Sequence, residues 1–441
     1  MDRLAGDLGP PLPQKYNQHM RLSAFFFAVI VLCGFVMAQN RNAAGPNSVT
    51  VPMTVDHNRI VIDVDIPLPG GKTERAHAWV DNGNPDFEMS QELAALLGAT
   101  VVCNGQICSA TPPSEIAVGG MAIPLGGGLT GAALKEARVP VAHTPIAPGL
   151  HVEMNIPAAL LCHYDVLIDF PGHELTIARP GTIQFRGPSS KVLVNAENGL
   201  IQVPSQIENK KYNLGLDLGS SISFLTQELF EKLAVAHSNW PRMTGAIGPA
   251  NMWGLDGEPS WKSMRLDRLQ FGPLFLTNVA VVDFPKDRQD FFVQRAGIST
   301  AGLLGSQALQ NYRVGLDYAH SLVHFEIGRT FNFPDFDVVG IILRPEPDGH
   351  FTILGVADFD GSPSVPNGTE GVQPGDHLVA VDNVSTTGSS MGQVWAMLGG
   401  TPGQERKLTI ERAGKQFSIV AQVKHFLGEM PDEKEVKGKK K

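Results

Sequence analysis

Two aspartates stand at matching positions of a repeated pattern. Val80-Asp81-Asn82-Gly83 runs on to Ser90-Gln91-Glu92-Leu93, and Leu216-Asp217-Leu218-Gly219 runs on, at the same offset, to Thr226-Gln227-Glu228-Leu229. Two carboxylates held a few ångströms apart cannot both ionise, so they share one proton. The ionised member can then take a proton from water while the protonated member polarises a carbonyl, which hydrolyses an amide without a metal or a covalent nucleophile. Such a pair titrates as a unit, and neither aspartate has a private role. In each copy an apolar strand delivers the Asp, a Gly opens a turn, and a helix begins after a Ser or Thr cap.

The surrounding chain repeats as well. His163-Tyr164-Asp165-Val166-Leu167-Ile168-Asp169-Phe170 aligns without gaps to Asn311-Tyr312-Arg313-Val314-Gly315-Leu316-Asp317-Tyr318. Two similar units, each with one Asp-x-Gly turn, predict a pseudo-two-fold that brings Asp81 and Asp217 face to face. The first unit runs over 51–179, with an alternating strand at Arg59-Ile60-Val61-Ile62-Asp63-Val64, a turn at Pro69-Gly70-Gly71 and a strand into Asp81. A linker at 180–190 leads to the second unit, 191–328, which repeats the order: a strand at Leu200–Val203, a turn near Asn209 and a strand into Asp217. Between later strands of this unit, the small residues Gly245, Ala246, Ile247 and Gly248 form a candidate flap over a cleft; an ordinary flexible loop is the equal alternative.

At 441 residues the chain is long enough for two or three domains, and its 47 Gly and 32 Pro suit many short strands joined by tight turns. A net charge of −9 gives no support for nucleic-acid binding. Leu22 to Ala38 is a strongly apolar run preceded by Arg21, and Val36-Met37-Ala38 resembles a cleavage site. Residues 1–38 are therefore expected to be a signal peptide, followed by a linker at 39–50, with export to the periplasm or outside the cell. The alternative is an uncleaved N-terminal anchor, the one route by which a membrane would be a partner. In an oxidising compartment Cys103 and Cys108, on either side of an Asn-Gly turn, are placed for a hairpin disulfide. Cys162 lies in apolar context and is expected to be inert. The cysteine spacing offers no zinc site, no His-Glu-x-x-His occurs, and nothing calls for a metal or cofactor.

Beyond residue 335 the character changes. Strand-like segments at Val338–Leu343 and Phe351–Val356 precede Pro374-Gly375-Asp376, an apolar strand and a helix-like stretch at Ser390–Leu398. The region 335–427 resembles a PDZ domain, with Gly340-Ile341-Ile342-Leu343 in place of the carboxylate-binding loop and Asn383 where a Gly is usual. The resemblance implies that this loop binds peptide C-termini. The tail, 428–441, is charged and reads as disordered.

Residues 51–328 resemble two fused retropepsin-type aspartyl protease units, joined to a PDZ domain as in bacterial exported proteins of that family. Asp81-x-Gly83, Asp217-x-Gly219, Leu303-Leu304-Gly305 and the two Tyr-x-Val-x-x-Asp segments carry the likeness. It implies a mainly β, bilobal double-barrel fold, peptide or protein substrates, and Asp81 and Asp217 as the catalytic pair. Asn82, Gly83, Leu218, Gly219 and Ser220 would support the pair. The family has Thr or Ser after each Asp, cross-bracing the turns; Asn82 can still hydrogen-bond there and Leu218 cannot. Ser220 matches a position whose hydroxyl often contacts the Asp, while its counterpart is Asn84. Pro157 stands at the position of Gly305. Two functions are thus open: an exported aspartic-type endopeptidase with PDZ-mediated substrate recognition, or a catalytically degenerate relative that binds peptides or proteins.

Overall fold

The computed structural model describes residues 46–428 apart from 106, 126–136, 140–151, 253, 287–288, 291–292, 294–298, 330–335, 360–363, 367 and 369. The expected signal peptide and all but the first residue of the charged tail lie outside the described residues. The chain is mainly β, in the two-unit arrangement that the repeats predict.

In the first unit the strand Thr73–Asp81 ends on Asp81. It pairs antiparallel with Arg59–Pro67 and, on its other side, parallel with Val152–Pro157, which sets Pro157 opposite Asp81. The second unit builds the same three-strand frame. Lys210–Asp217 ends on Asp217, pairs antiparallel with Ile201–Ile207 and parallel with Gly302–Gly305, and so sets Gly305 opposite Asp217. Both caps form as the sequence predicts. Ser90 accepts from Leu93 N–H at the start of Gln91–Leu96, and Thr226 accepts from Leu229 N–H at the start of Gln227–Ala236.

The repeated Tyr-x-Val-x-x-Asp segments meet each other. Asp165–Asp169 and Tyr312–Asp317 are the central antiparallel neighbours of a six-stranded sheet shared by both units. Asp165 lies opposite Asp317, Asp169 opposite Arg313, and Leu167 opposite Gly315 at the centre. Exchanging the two units maps this register onto itself, as a local two-fold requires. Alternating apolar residues of both units, among them Ile60, Val80, Ile156, Ile168, Leu216, Leu304 and Leu316, fill one continuous core. Cys103 and Cys108 are joined in a disulfide. Cys162 is half-buried, and burial pushes its thiol up to about 11, which suits an inert side chain.

The C-terminal part folds into a sheet in the order Ile341–Pro345, Phe351–Val356, His377–Val381, Glu405–Arg412, Lys415–Gln422, with Ile341–Pro345 at one edge. Its helix, Met391–Leu398, opens with a capping box in which Ser390 and Gln393 satisfy each other's backbone N–H groups. Asp382 and Asn383 take positive φ at a tight turn, so Asn fills the place where Gly is usual. This module does not stand on its own core. Ile341, Ile342, Leu343, Val394 and Trp395 pack in one cluster with Phe224, Met243, Ala246, Ile247 and Trp261 of the second unit.

Candidate active site

The two Asp-x-Gly turns interlock. A Cβ added to Gly83 would sit 2.1 Å from Asp217 Cγ, and one added to Gly219 would sit 2.3 Å from Asp81 Oδ1. Each carboxyl group therefore rests against the glycine of the opposite turn, in room that only a missing side chain provides. Backbone N–H groups hold both: Gly83 donates to Asp81 Oδ1 at 3.0 Å, and Gly219 and Ser220 donate to Asp217 Oδ1 at 3.1 and 2.9 Å.

The brace between the turns runs one way. Asn82 Nδ2 donates to Leu216 O at 2.9 Å, and Leu218 N–H donates to Asn82 Oδ1 at 2.7 Å. One amide side chain thus supplies the donor and the acceptor. Leu218 makes no such return; its side chain is 0% exposed and belongs to the apolar core. The Ser220 hydroxyl departs from expectation. It donates to Ile222 O at 2.7 Å, so Ser220 holds Asp217 through its backbone alone.

Burial and mutual repulsion push the Asp81 carboxyl well above the usual carboxylate range. Asp217 is also raised by burial, against the opposing pull of the Ser220 and Gly219 N–H groups and of Arg59. The pair consequently holds a proton into a range where an exposed aspartate has lost it.

Arg59 is the functional residue that the sequence reading missed. Ile60 pairs with Val80, and continuing that register sets Arg59 across from Asp81. Arg59 is 0% exposed, and its guanidinium faces the charges of Asp56, Glu258, Asp81 and Asp217. Its Nη2 donates to Met252 O at 2.6 Å, and burial lowers it to about 10, still charged at neutral pH. The only signal in the sequence was a cation at the end of an otherwise alternating apolar strand.

Two other expectations need correction. Gly245–Gly248 does lie between the strands Arg242–Thr244 and Lys262–Phe271, but it is not an exposed loop. Ala246 and Ile247 are fully buried against the C-terminal module, because their apolar side chains complete that module's core. Most N–H groups in and beside the loop Gly340-Ile341-Ile342-Leu343 are already taken up within the fold. Val339 N–H donates to Leu398 O, Gly340 N–H to Ser364 Oγ and Ile341 N–H to Val339 O. The Leu343 backbone is engaged by Asn251. These donors, which would have to meet a peptide terminus, are satisfied inside the fold.

Among the described residues no group of His, Cys, Asp and Glu is placed to hold a metal, and no helix is long and apolar enough to cross a membrane. No family model matches this chain, and no curated protein matches it. Among solved structures, an aspartic proteinase from Irpex lacteus aligns with a TM-score of 0.37 and 12% identity, over 64% of this chain and 97% of that one.

Proposed function

We propose that this chain is an exported aspartic-type endopeptidase in which Asp81 and Asp217 together activate water against a peptide carbonyl. The observation that carries the reading is the reciprocal seating of each carboxyl against the opposite glycine. In that seat the shared proton lies between two groups that face the same reacting atoms. The member left ionised removes a proton from water, and the protonated member hydrogen-bonds the carbonyl oxygen. The Gly219 and Ser220 N–H groups and the Arg59 cation favour charge on Asp217. Export rests on the apolar run from Leu22 to Ala38 alone.

A second reading, a peptide-binding relative without turnover, is favoured by one specific feature: a permanent buried cation, Arg59, beside a dyad whose brace is one-sided. The two readings separate in a peptide-library digest with purified protein between pH 3 and 8. An active dyad cleaves at acid pH and loses rate as pH rises and the shared proton leaves. The raised carboxyls also favour the folded state below their unfolded value near 3.8, and this contribution is lost as pH rises through their folded values. Asp217→Asn should abolish cleavage, because an amide cannot act as the base. Cleavage that survives Asp217→Asn, or none at any pH by this chain or by a variant in which the 245–252 segment is loosened, rejects the endopeptidase.

A further inference from the structure

The segment between the strands Arg242–Thr244 and Lys262–Phe271 is tied to three separate parts of the chain, and Asn251 is the hub. Its side chain donates from Nδ2 to Leu343 O at 2.9 Å and accepts from Leu343 N–H through Oδ1 at 3.4 Å. Leu343 belongs to the edge strand of the C-terminal sheet, so the Asn251 amide takes the two bonds that another strand would make there. The Asn251 backbone O meets His57 Nε2 at 2.5 Å, and its Nδ2 also donates to Glu258. One residue on, Met252 O accepts from Arg59, whose guanidinium faces the charges of Asp81 and Asp217. Two residues back, Pro249 O accepts from Ser221 Oγ at 2.8 Å, directly after the second Asp-x-Gly turn.

The C-terminal module grips the same place from its other side. Asp56 accepts from Ser390 Oγ and, at 3.2 Å, from Gly392 N–H at the start of the helix Met391–Leu398. The His57 ring lies 6.3 Å from the Trp395 ring. Thr244 and Asp358 exchange both backbone bonds, at 2.7 and 2.8 Å. From these contacts we infer that the C-terminal module is an intramolecular latch: it holds the 245–252 segment down between Arg59 and Ser221, and substrate reaches the dyad only when the module lets that segment go. The inference builds on the endopeptidase reading and gives the module a regulatory role in place of capturing peptide ends. A peptide lying across the dyad needs the ground between the two turns, and the segment is fastened at both flanks of it, to Arg59 and to Ser221. The segment cannot lift alone, because doing so strips Leu343 of its partner and exposes Ala246, Ile247 and Ala250.

The test uses the full mature chain and single substitutions, since removing the module would open a shared core. Asn251→Ala deletes the hub. Ser390→Ala weakens the grip from the module's side, far from the dyad in sequence, and serves if Asn251→Ala does not fold. Backbone hydrogen exchange at 244–252 and 341–345 is read beside cleavage of a quenched-fluorescent peptide pool at pH 4. At least a tenfold rise in exchange in both segments, with a severalfold rise in kcat/KM, is the expected result. Faster exchange with no cleavage by any form keeps the latch and rejects the peptidase. Unchanged exchange in a folded variant, or faster exchange with kcat/KM at the wild-type level, overturns the latch.

Discussion

The two Asp-x-Gly turns share a backbone and differ in the residue next to the aspartate. In the first, Asn82 reaches across and serves Leu216 O and Leu218 N–H together. In the second, Leu218 turns inward and packs in the core. A symmetric brace would use two hydroxyls, each making a donor and an acceptor contact. Here one longer amide carries the polar work from one side, and the other side contributes apolar packing. The comparison teaches that the glycines are equivalent by geometry, whereas positions 82 and 218 have become specialised.

The sharpest way to break the comparison is at the glycines. Gly83→Ala and Gly219→Ala each drive a methyl group into the opposite carboxyl. Each should destabilise the chain by about 4 kcal/mol or more and remove any activity, since the turns would have to part. Thermal unfolding checks this, and a clear difference between the two variants would show the interlock to be unequal. Asn82→Ala is next. It leaves Leu216 O and Leu218 N–H without their partner, at a cost of roughly 2–4 kcal/mol in urea unfolding. The smallest effect is expected at Leu218→Thr. A hydroxyl there trades buried apolar contact for a polar group in an apolar site, costing about 1–3 kcal/mol. Because Leu218 N–H is already held by Asn82, the rate per folded molecule should stay at the wild-type level. A rise in rate would show that the missing hydroxyl limits the dyad.

The same contrast, between what lies close along the chain and what lies far away, separates the legible from the illegible. Ser90 and Thr226 announced their helices because a cap acts within three residues. The equivalence of Pro157 and Gly305 came from gapless repeats, and both strands do run parallel to their aspartate strands at those positions. The Cys103–Cys108 bond spans a single hairpin. Arg59, by contrast, gained its meaning from cross-strand register, and nothing in a lone Arg announces which carboxylate will stand opposite. The Ser220 hydroxyl found a nearer acceptor in Ile222 O than the aspartate the resemblance suggested.

By itself, then, the sequence determined the repeat, its turns and its caps, and it put Asp81 and Asp217 at matching positions, because periodicity, glycine and capping chemistry operate over a few residues. Only the tertiary structure decided how the C-terminal module would be used. Asn251 and Leu343 are 92 residues apart, and Asp56 and Ser390 are 334 apart. Such partners are chosen by which apolar faces remain uncovered after each unit has folded, and by which buried polar groups then need a donor or an acceptor. Neither is written in any local pattern.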